Sequence, residues 1–331
     1  MGMVEDSSSK REKRVLGVLR HATPLLRLSA SRKLLGLDHL EVYVKWEGGN
    51  PTGTHKDRAA LAHISRAVSE GASTVTVGTC GNYGVAIAYY SLLAGLRAVV
   101  FVPRGYENSR VEEMRKYGAK VVPVDGTYED AVEASARAAA ARGWYDANPG
   151  GRHDAVSFKA YSGIAREIVA ELGDAPYAVA APVGNGTTMV GLYLGFLEAY
   201  KEGYASRIPR FIAASTLHAN QVVESWLQGR LTPVVVLPER VRETPVNEPL
   251  VAYRSLNAEE ALRALYETKG RAYAFGDEEL IEASLLLRAV EGISSLPASS
   301  SALLALKEFV REEDPEGPLV AVVTGKWLRR R

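Results

Sequence analysis

The sequence predicts an α/β protein built on mostly parallel sheets, and three observations carry that expectation. From residue 59 onward, segments with helical spacing of apolar residues alternate with short β-branched runs. Several of those runs are apolar throughout, as strands covered on both faces must be. Glycines stand where each helix should stop and the chain should turn toward the next strand. A chain of 331 residues suits two domains of ordinary size, each with its own core.

The first predicted helix, Asp57–Glu70, is stopped by Gly71 and followed by a strand over Thr74–Gly78. The loop T-C-G-N-Y-G at 79–84 leads into a helix over Val85–Leu93, ended by Gly95, and then the apolar strand Ala98–Pro103. The cycle repeats with helix Ser109–Tyr117, stop Gly118, strand Lys120–Val124 and helix Tyr128–Arg142. A second series has helix Tyr161–Leu172, strand Ala178–Pro182, the loop G-N-G-T-T at 184–188, helix Met189–Tyr200 and strand Arg210–Ala214. After the apolar, proline-punctuated stretch Thr232–Pro249 come helices near Asn257–Glu267, Asp277–Glu291 and Ser299–Glu312, then a last strand Leu319–Thr324. Internal repeats and low-complexity linkers are absent, and the polar residues 1–14 read as a flexible tail.

Composition narrows the partners. Lys and Arg total 40 against 39 Asp and Glu, without the one-sided field that nucleic acid or an anionic membrane requires. No apolar run approaches the ~20 residues that span a bilayer, and the polar N-terminus lacks the apolar core of a secretory signal. A cytoplasmic protein acting on small molecules is expected. The single cysteine, Cys80, excludes an internal disulfide framework and any multi-cysteine zinc site, so no metal centre is expected.

In open α/β sheets ligands bind outside the carboxyl ends of strands, which directs attention to three segments. In Gly184–Thr188, glycines let backbone N–H groups approach an anion, the helix N-terminus adds its positive end, and Thr187 and Thr188 offer hydroxyls. This is a phosphate cup or a tight turn capped by threonine; it matches neither the Walker nor the dinucleotide fingerprint, so a nicotinamide dehydrogenase is disfavoured. The loop Thr79–Gly84 offers a second nest of donors, suited to a carboxylate, with Asn82 either donating to a ligand or merely tolerating a left-handed turn. A Cys80 nucleophile is rejected, since no His–Asp arrangement accompanies it. In E-G-G-N-P-T-G-T-H-K-D-R, Glu47–Arg58, the glycines and Pro51 deliver Lys56 at the mouth of a helix, whose dipole lowers the amine pKa. Such a lysine can form a Schiff base, or can be a first-turn lysine paired with Asp57.

Taken together, Asn50–Arg58, Thr79–Asn82, Gly184–Thr188 and Thr324-Gly325 resemble, in that order, the motifs of the fold-type-II pyridoxal 5′-phosphate enzymes of the tryptophan synthase β superfamily. Within that family the chain looks most like the threonine synthases, from about Thr23-Pro24-Leu25 to its end. The resemblance implies two domains, each a mostly parallel twisted sheet flanked by helices: a large cofactor domain of residues 15–54 and 159–331, and a small mobile domain of residues 55–158. The cofactor is expected in the cleft between them. By the same resemblance Lys56 forms the internal Schiff base, Asn82 meets the cofactor's phenolic oxygen, and Gly184, Asn185, Gly186, Thr187 and Thr188 hold its phosphate. Thr324 meets the pyridine nitrogen with a hydroxyl rather than a carboxylate. Thr79, Cys80, Gly81 and Tyr83 cup the substrate carboxylate, and Arg152 or Lys159 holds a substrate phosphate.

The chain departs from the family pattern at several places. Leu296-Pro297-Ala298-Ser299 replaces Glu-Pro-Ala-Ser, Tyr83 stands where threonine is usual, and Lys326 follows Thr324-Gly325 in place of histidine. His55 precedes Lys56 as in tryptophan synthase β chains, and about five extra residues separate Arg152 from the helix near Tyr161. The implied activity is a lyase converting O-phosphohomoserine to threonine and phosphate, as a homodimer. The alternatives are a serine/threonine dehydratase, an O-phosphoserine β-replacement enzyme and, in another class, a non-catalytic protein that binds pyridoxal phosphate.

Overall fold

The computed structural model describes residues 22–37, 39–79, 81–105, 109–237, 239 and 241–327. The tail at residues 1–14 and Cys80 lie outside the described residues. The chain forms two compact units, one spanning Asn50–Ala160 and the other joining Thr23–Gly49 to the chain from Tyr161 onward.

β1 (Leu25–Arg27), α1 (Ala30–Leu34) and β2 (Val42–Trp46) open the larger unit. The smaller unit follows as α2 (Lys56–Ser69), β3 (Thr74–Gly78), α3 (Asn82–Ala94), β4 (Arg97–Pro103), α4 (Ser109–Lys116), β5 (Lys120–Val124), α5 (Tyr128–Arg142) and β6 (Tyr145–Asp146). Helix α6 (Asp154–Leu172) carries the chain across the boundary. The larger unit resumes with β7 (Ala178–Pro182), α7 (Thr187–Lys201), β8 (Arg210–Thr216), α8 (Gln221–Leu227), α9 (Ala258–Glu267), β9 (Arg271–Phe275), α10 (Asp277–Glu291), α11 (Pro297–Glu312) and β10 (Leu319–Val323).

Among the described residues the larger sheet runs β1-β2-β10-β7-β8-β9, antiparallel only between β1 and β2, and the smaller runs β5-β4-β3-β6, parallel throughout. The α/β class with mostly parallel sheets is therefore the observed one. Every residue of the central strands β10 and β3 is buried, as their valine-rich sequences require. In the larger unit Val44, Ala180, Ile212 and Val323 pack against Leu303, Leu306 and Phe309 of α11. In the smaller, Val75, Val77 and Val100 pack against Ile64 of α2, Ile87 of α3 and Met114 of α4. Gly78 ends β3 because nothing larger fits: a Cβ there would lie 2.4 Å from the Val132 nitrogen of α5.

Several elements depart from the sequence expectation. Helix α6 begins at Asp154, not near Tyr161, so the residues that looked like an insertion after Arg152 are its first turns. Strands β1, β2, β6 and β9 had no predicted counterpart. β2 hides its signal behind Lys45, a fully buried lysine whose Nζ donates to the Thr23 carbonyl (2.5 Å) and sits 2.8 Å from Glu171 and 3.0 Å from Glu167 of α6. A buried charge is tolerable only with such partners.

His63, on α2, is fully buried between the Tyr145 hydroxyl (Nδ1, 3.1 Å) and the Ser157 hydroxyl (Nε2, 2.8 Å). It thus fastens α2 to β6 and to the first turns of α6. Burial, reinforced by repulsion from His153, pushes its pKa down to about 3. The native imidazole stays neutral where the unfolded chain, near 6.5, takes up a proton. Its contribution is complete above pH 6.5 and is lost as pH falls toward 3, by about 1.4 kcal/mol per pH unit. Urea unfolding between roughly pH 6.5 and 4 should fall more steeply for the wild type than for His63→Gln. Parallel slopes would refute the assignment.

Candidate active site

In the smaller unit, the chain before α2 is shaped by one carboxylate. Asp57, fully buried, accepts from the Thr52 N–H at 3.1 and 3.2 Å, the Thr52 hydroxyl at 2.7 Å and the Thr54 N–H at 3.5 Å. Gly53, at φ +90°, makes the turn between these donors, and the Thr54 hydroxyl accepts from the Lys56 N–H at 3.3 Å. Lys56 therefore occupies the first position of a 14-residue helix, on a loop that cannot swing freely. Burial pushes the Asp57 carboxyl above its usual range, opposed by the bonds from Thr52 and Thr54.

The end of β3 supplies the second piece. The Thr79 N–H donates to the Phe101 carbonyl at 2.9 Å, and Gly81 caps α3, whose first residue is Asn82. Gly84 allows that helix to sit tightly on Thr79 and Met114, where a Cβ would meet Met114 Cε at 2.5 Å. The Tyr83 hydroxyl donates to the Ala147 carbonyl at 2.8 Å, and the Gly78 N–H to Asn148 Oδ1 at 2.7 Å. The segment after β6 is thereby fixed to both ends of the Thr79–Tyr83 loop. Thr79, Gly81, Asn82 and Tyr83 come together at the start of α3. Arg152 is exposed in the turn before α6, and Lys159 is exposed on that helix.

In the larger unit, Gly184–Thr188 joins β7 to α7. Its carbonyls are occupied from behind. Asn220 Nδ2 donates to Val183 O (2.9 Å) and Gly184 O (3.0 Å), while the Asn257 N–H donates to Asn185 O (3.0 Å). Asn185 Oδ1 accepts from Leu256 N–H at 3.2 Å, and the Thr187 hydroxyl donates to Asn257 Oδ1 at 2.7 Å. Gly186 turns the chain at φ +86°, no side chain caps α7, and its first turn carries no acidic residue. An uncapped helix N-terminus of this kind suits a phosphate. Thr324 leaves the neighbouring strand β10 at the same edge, its hydroxyl 2.8 Å from that of Ser299 on α11. This hydroxyl pair can donate to a neutral ring nitrogen while remaining bonded internally. Leu296, the departure from the family pattern, keeps its place through its N–H to the Gly325 carbonyl at 2.9 Å.

The smaller unit thus carries an amine and an amide at two helix starts, and the larger unit carries a glycine-rich turn at an uncapped helix start and a buried hydroxyl pair. Residues 18–325 match the family described as pyridoxal-phosphate dependent enzyme, and the chain belongs to that family. It is a pyridoxal-phosphate-dependent enzyme of the lyase class. It is 31% identical to threonine synthase of Methanocaldococcus jannaschii over 97% of this chain and 78% of that protein. With threonine synthase of Synechocystis sp. the identity is 30% over 95% of this chain and 78% of the relative. Maize serine racemase shares the fold at a TM-score of 0.79, with 18% identity and coverage of 98% and 93% of the two chains. Among the described residues, no group of His, Cys, Asp and Glu could hold a metal ion, and no helix is long and apolar enough to cross a membrane.

The supporting residues Asn220, Asn257 and Asn148 carry no local sequence motif, and only the fold brings them to these loops. At Gly186 the left-handed backbone and a Cβ position 2.8 Å from the Asn257 carbonyl both exclude a side chain. Gly186→Ala should lower the unfolding free energy by about 1–3 kcal/mol in urea titration. An unchanged midpoint would show that the loop relaxes freely.

Proposed function

We propose that the enzyme converts O-phosphohomoserine to threonine and phosphate. The observation that carries this reading is the similarity to proteins named threonine synthase across nearly the whole chain, with the four chemical motifs in register. In this reading Lys56 holds the cofactor covalently at rest, Asn82 binds its phenolic oxygen, and Gly184, Asn185, Gly186, Thr187 and Thr188 bind its phosphate. Thr324, backed by Ser299, serves the ring nitrogen without protonating it. Pyridoxal phosphate supplies an electron sink that makes the substrate's Cα proton removable.

The chain's residues do the rest. Thr79, Cys80, Gly81 and Tyr83 hold the substrate carboxylate, and Arg152 or Lys159 holds its phosphate. The Lys56 amine, once released by the incoming substrate amine, moves protons at Cα, Cβ and Cγ. Overall the Cγ–O bond breaks and phosphate leaves, Cβ gives up one proton and takes the hydroxyl of water, Cγ gains a proton, and the second proton of water leaves with the phosphate. A cytoplasmic homodimer belongs to the same reading.

Purified enzyme supplied with cofactor and O-phosphohomoserine should release phosphate and threonine in equal amounts, and Lys56→Ala should lower the rate by about a thousandfold or more. Release of 2-oxobutyrate or pyruvate from threonine or serine, without activity on the phosphorylated substrate, would replace this reading by a dehydratase. A cofactor spectrum insensitive to any amino acid would replace it by a non-catalytic binder.

A further inference from the structure

We infer that Arg110 is a positioning residue that fixes which end of the Asn82 amide faces the cofactor. The inference rests on the proposed contact between Asn82 and the phenolic oxygen. Arg110 lies on α4 and approaches Asn82 from the neighbouring strand exit, with its Nε donating to Asn82 Oδ1 at 2.7 Å. A guanidinium is a donor only, so the end of the amide that it meets must be the oxygen. The Asn82 NH₂ group is then turned away from Arg110 as a donor. Asn82 is also the first residue of α3, where the backbone adds further N–H donors. Such a set accepts an oxygen carrying negative charge and repels one carrying a proton outward.

Arg110 is itself held on both remaining nitrogens. Nη1 pairs with Glu113 at 2.5 Å, and Nη2 donates to the Thr52 carbonyl at 3.4 Å. Thr52 is in turn bound by the buried Asp57 carboxylate one residue beyond Lys56. The guanidinium side chain is 13% exposed, and its charge is balanced by Glu113, so its effect on Asn82 is directional rather than a matter of net charge. Through it, the loop carrying Lys56 and the residue proposed to face the phenolic oxygen share one hydrogen-bond network.

The test is a double-mutant cycle on the holoenzyme with Arg110→Met, Asn82→Ala and both together, with Arg110→Lys as the conservative variant. Two quantities are read: the dissociation constant for pyridoxal phosphate, and the ratio of visible to near-ultraviolet absorbance of the bound cofactor. Arg110→Met should weaken cofactor binding roughly tenfold and shift absorbance toward the near-ultraviolet, as an amide free to rotate no longer favours the ionised phenol. Arg110→Lys should restore much of both. In the Asn82→Ala background, Arg110→Met should change neither quantity further. Additive effects, or an Arg110→Met enzyme with the wild-type ratio while Asn82→Ala shifts it, would overturn the inference. If Asn82→Ala alone alters neither quantity, the contact between Asn82 and the cofactor is what fails, and the inference falls with it. Should Arg110→Met not fold, Arg110→Gln in the same cycle gives the same discrimination.

Discussion

Parallel pairing of β3 with β4 and β6 compels these three strands to end on one edge of the smaller sheet. The segments that follow them, Thr79–Asn82, the approach to Arg110, and Ala147–Arg152, are brought side by side although far apart in sequence. The larger sheet imposes the same condition on β7 and β10, which release Gly184–Thr188 and Thr324 next to each other. Chemistry at the carboxyl edge is thus a product of the ladder, and loop composition only decides what chemistry it is.

What the ladder brings near, buried polar bonds make rigid. Asp57 with Thr52 and Thr54 shapes the Lys56 loop, Asn148 anchors the end of β3, and Asn220 with Asn257 holds the back of the cup. Each of these side chains is buried and hydrogen-bonded. Truncating any of them would leave buried groups unsatisfied, which costs more than the lost bond itself. Occupying loop carbonyls from behind also leaves the cup presenting donors, the polarity that a phosphate requires.

Much of this was legible in the residues. Apolar runs near glycine located β3, β4, β7 and β10, and the segments around Lys56 and Gly184–Thr188 announced themselves through glycine spacing. Other features could not be read locally. β1 and β6 are three and two residues long, too short for any period to show. β2 carries Lys45, whose burial depends on Glu167 and Glu171 far along the chain, and β9 begins with Arg271, paired with Glu313 at 2.5 Å. The residues between Arg152 and Tyr161 read as extra loop, whereas α6 starts at Asp154. Arg110 sits in an ordinary charged helix, and only the strand order brings it to Asn82.

The account depends most on Lys56 being the lysine that carries the cofactor. Reduction of the holoenzyme with borohydride, followed by proteolysis and mass spectrometry, addresses that directly. The account predicts a single pyridoxyl-modified peptide, with the modification on Lys56. A modification on another lysine, such as Lys45 or Lys159, or none in enzyme shown to contain the cofactor, would contradict it.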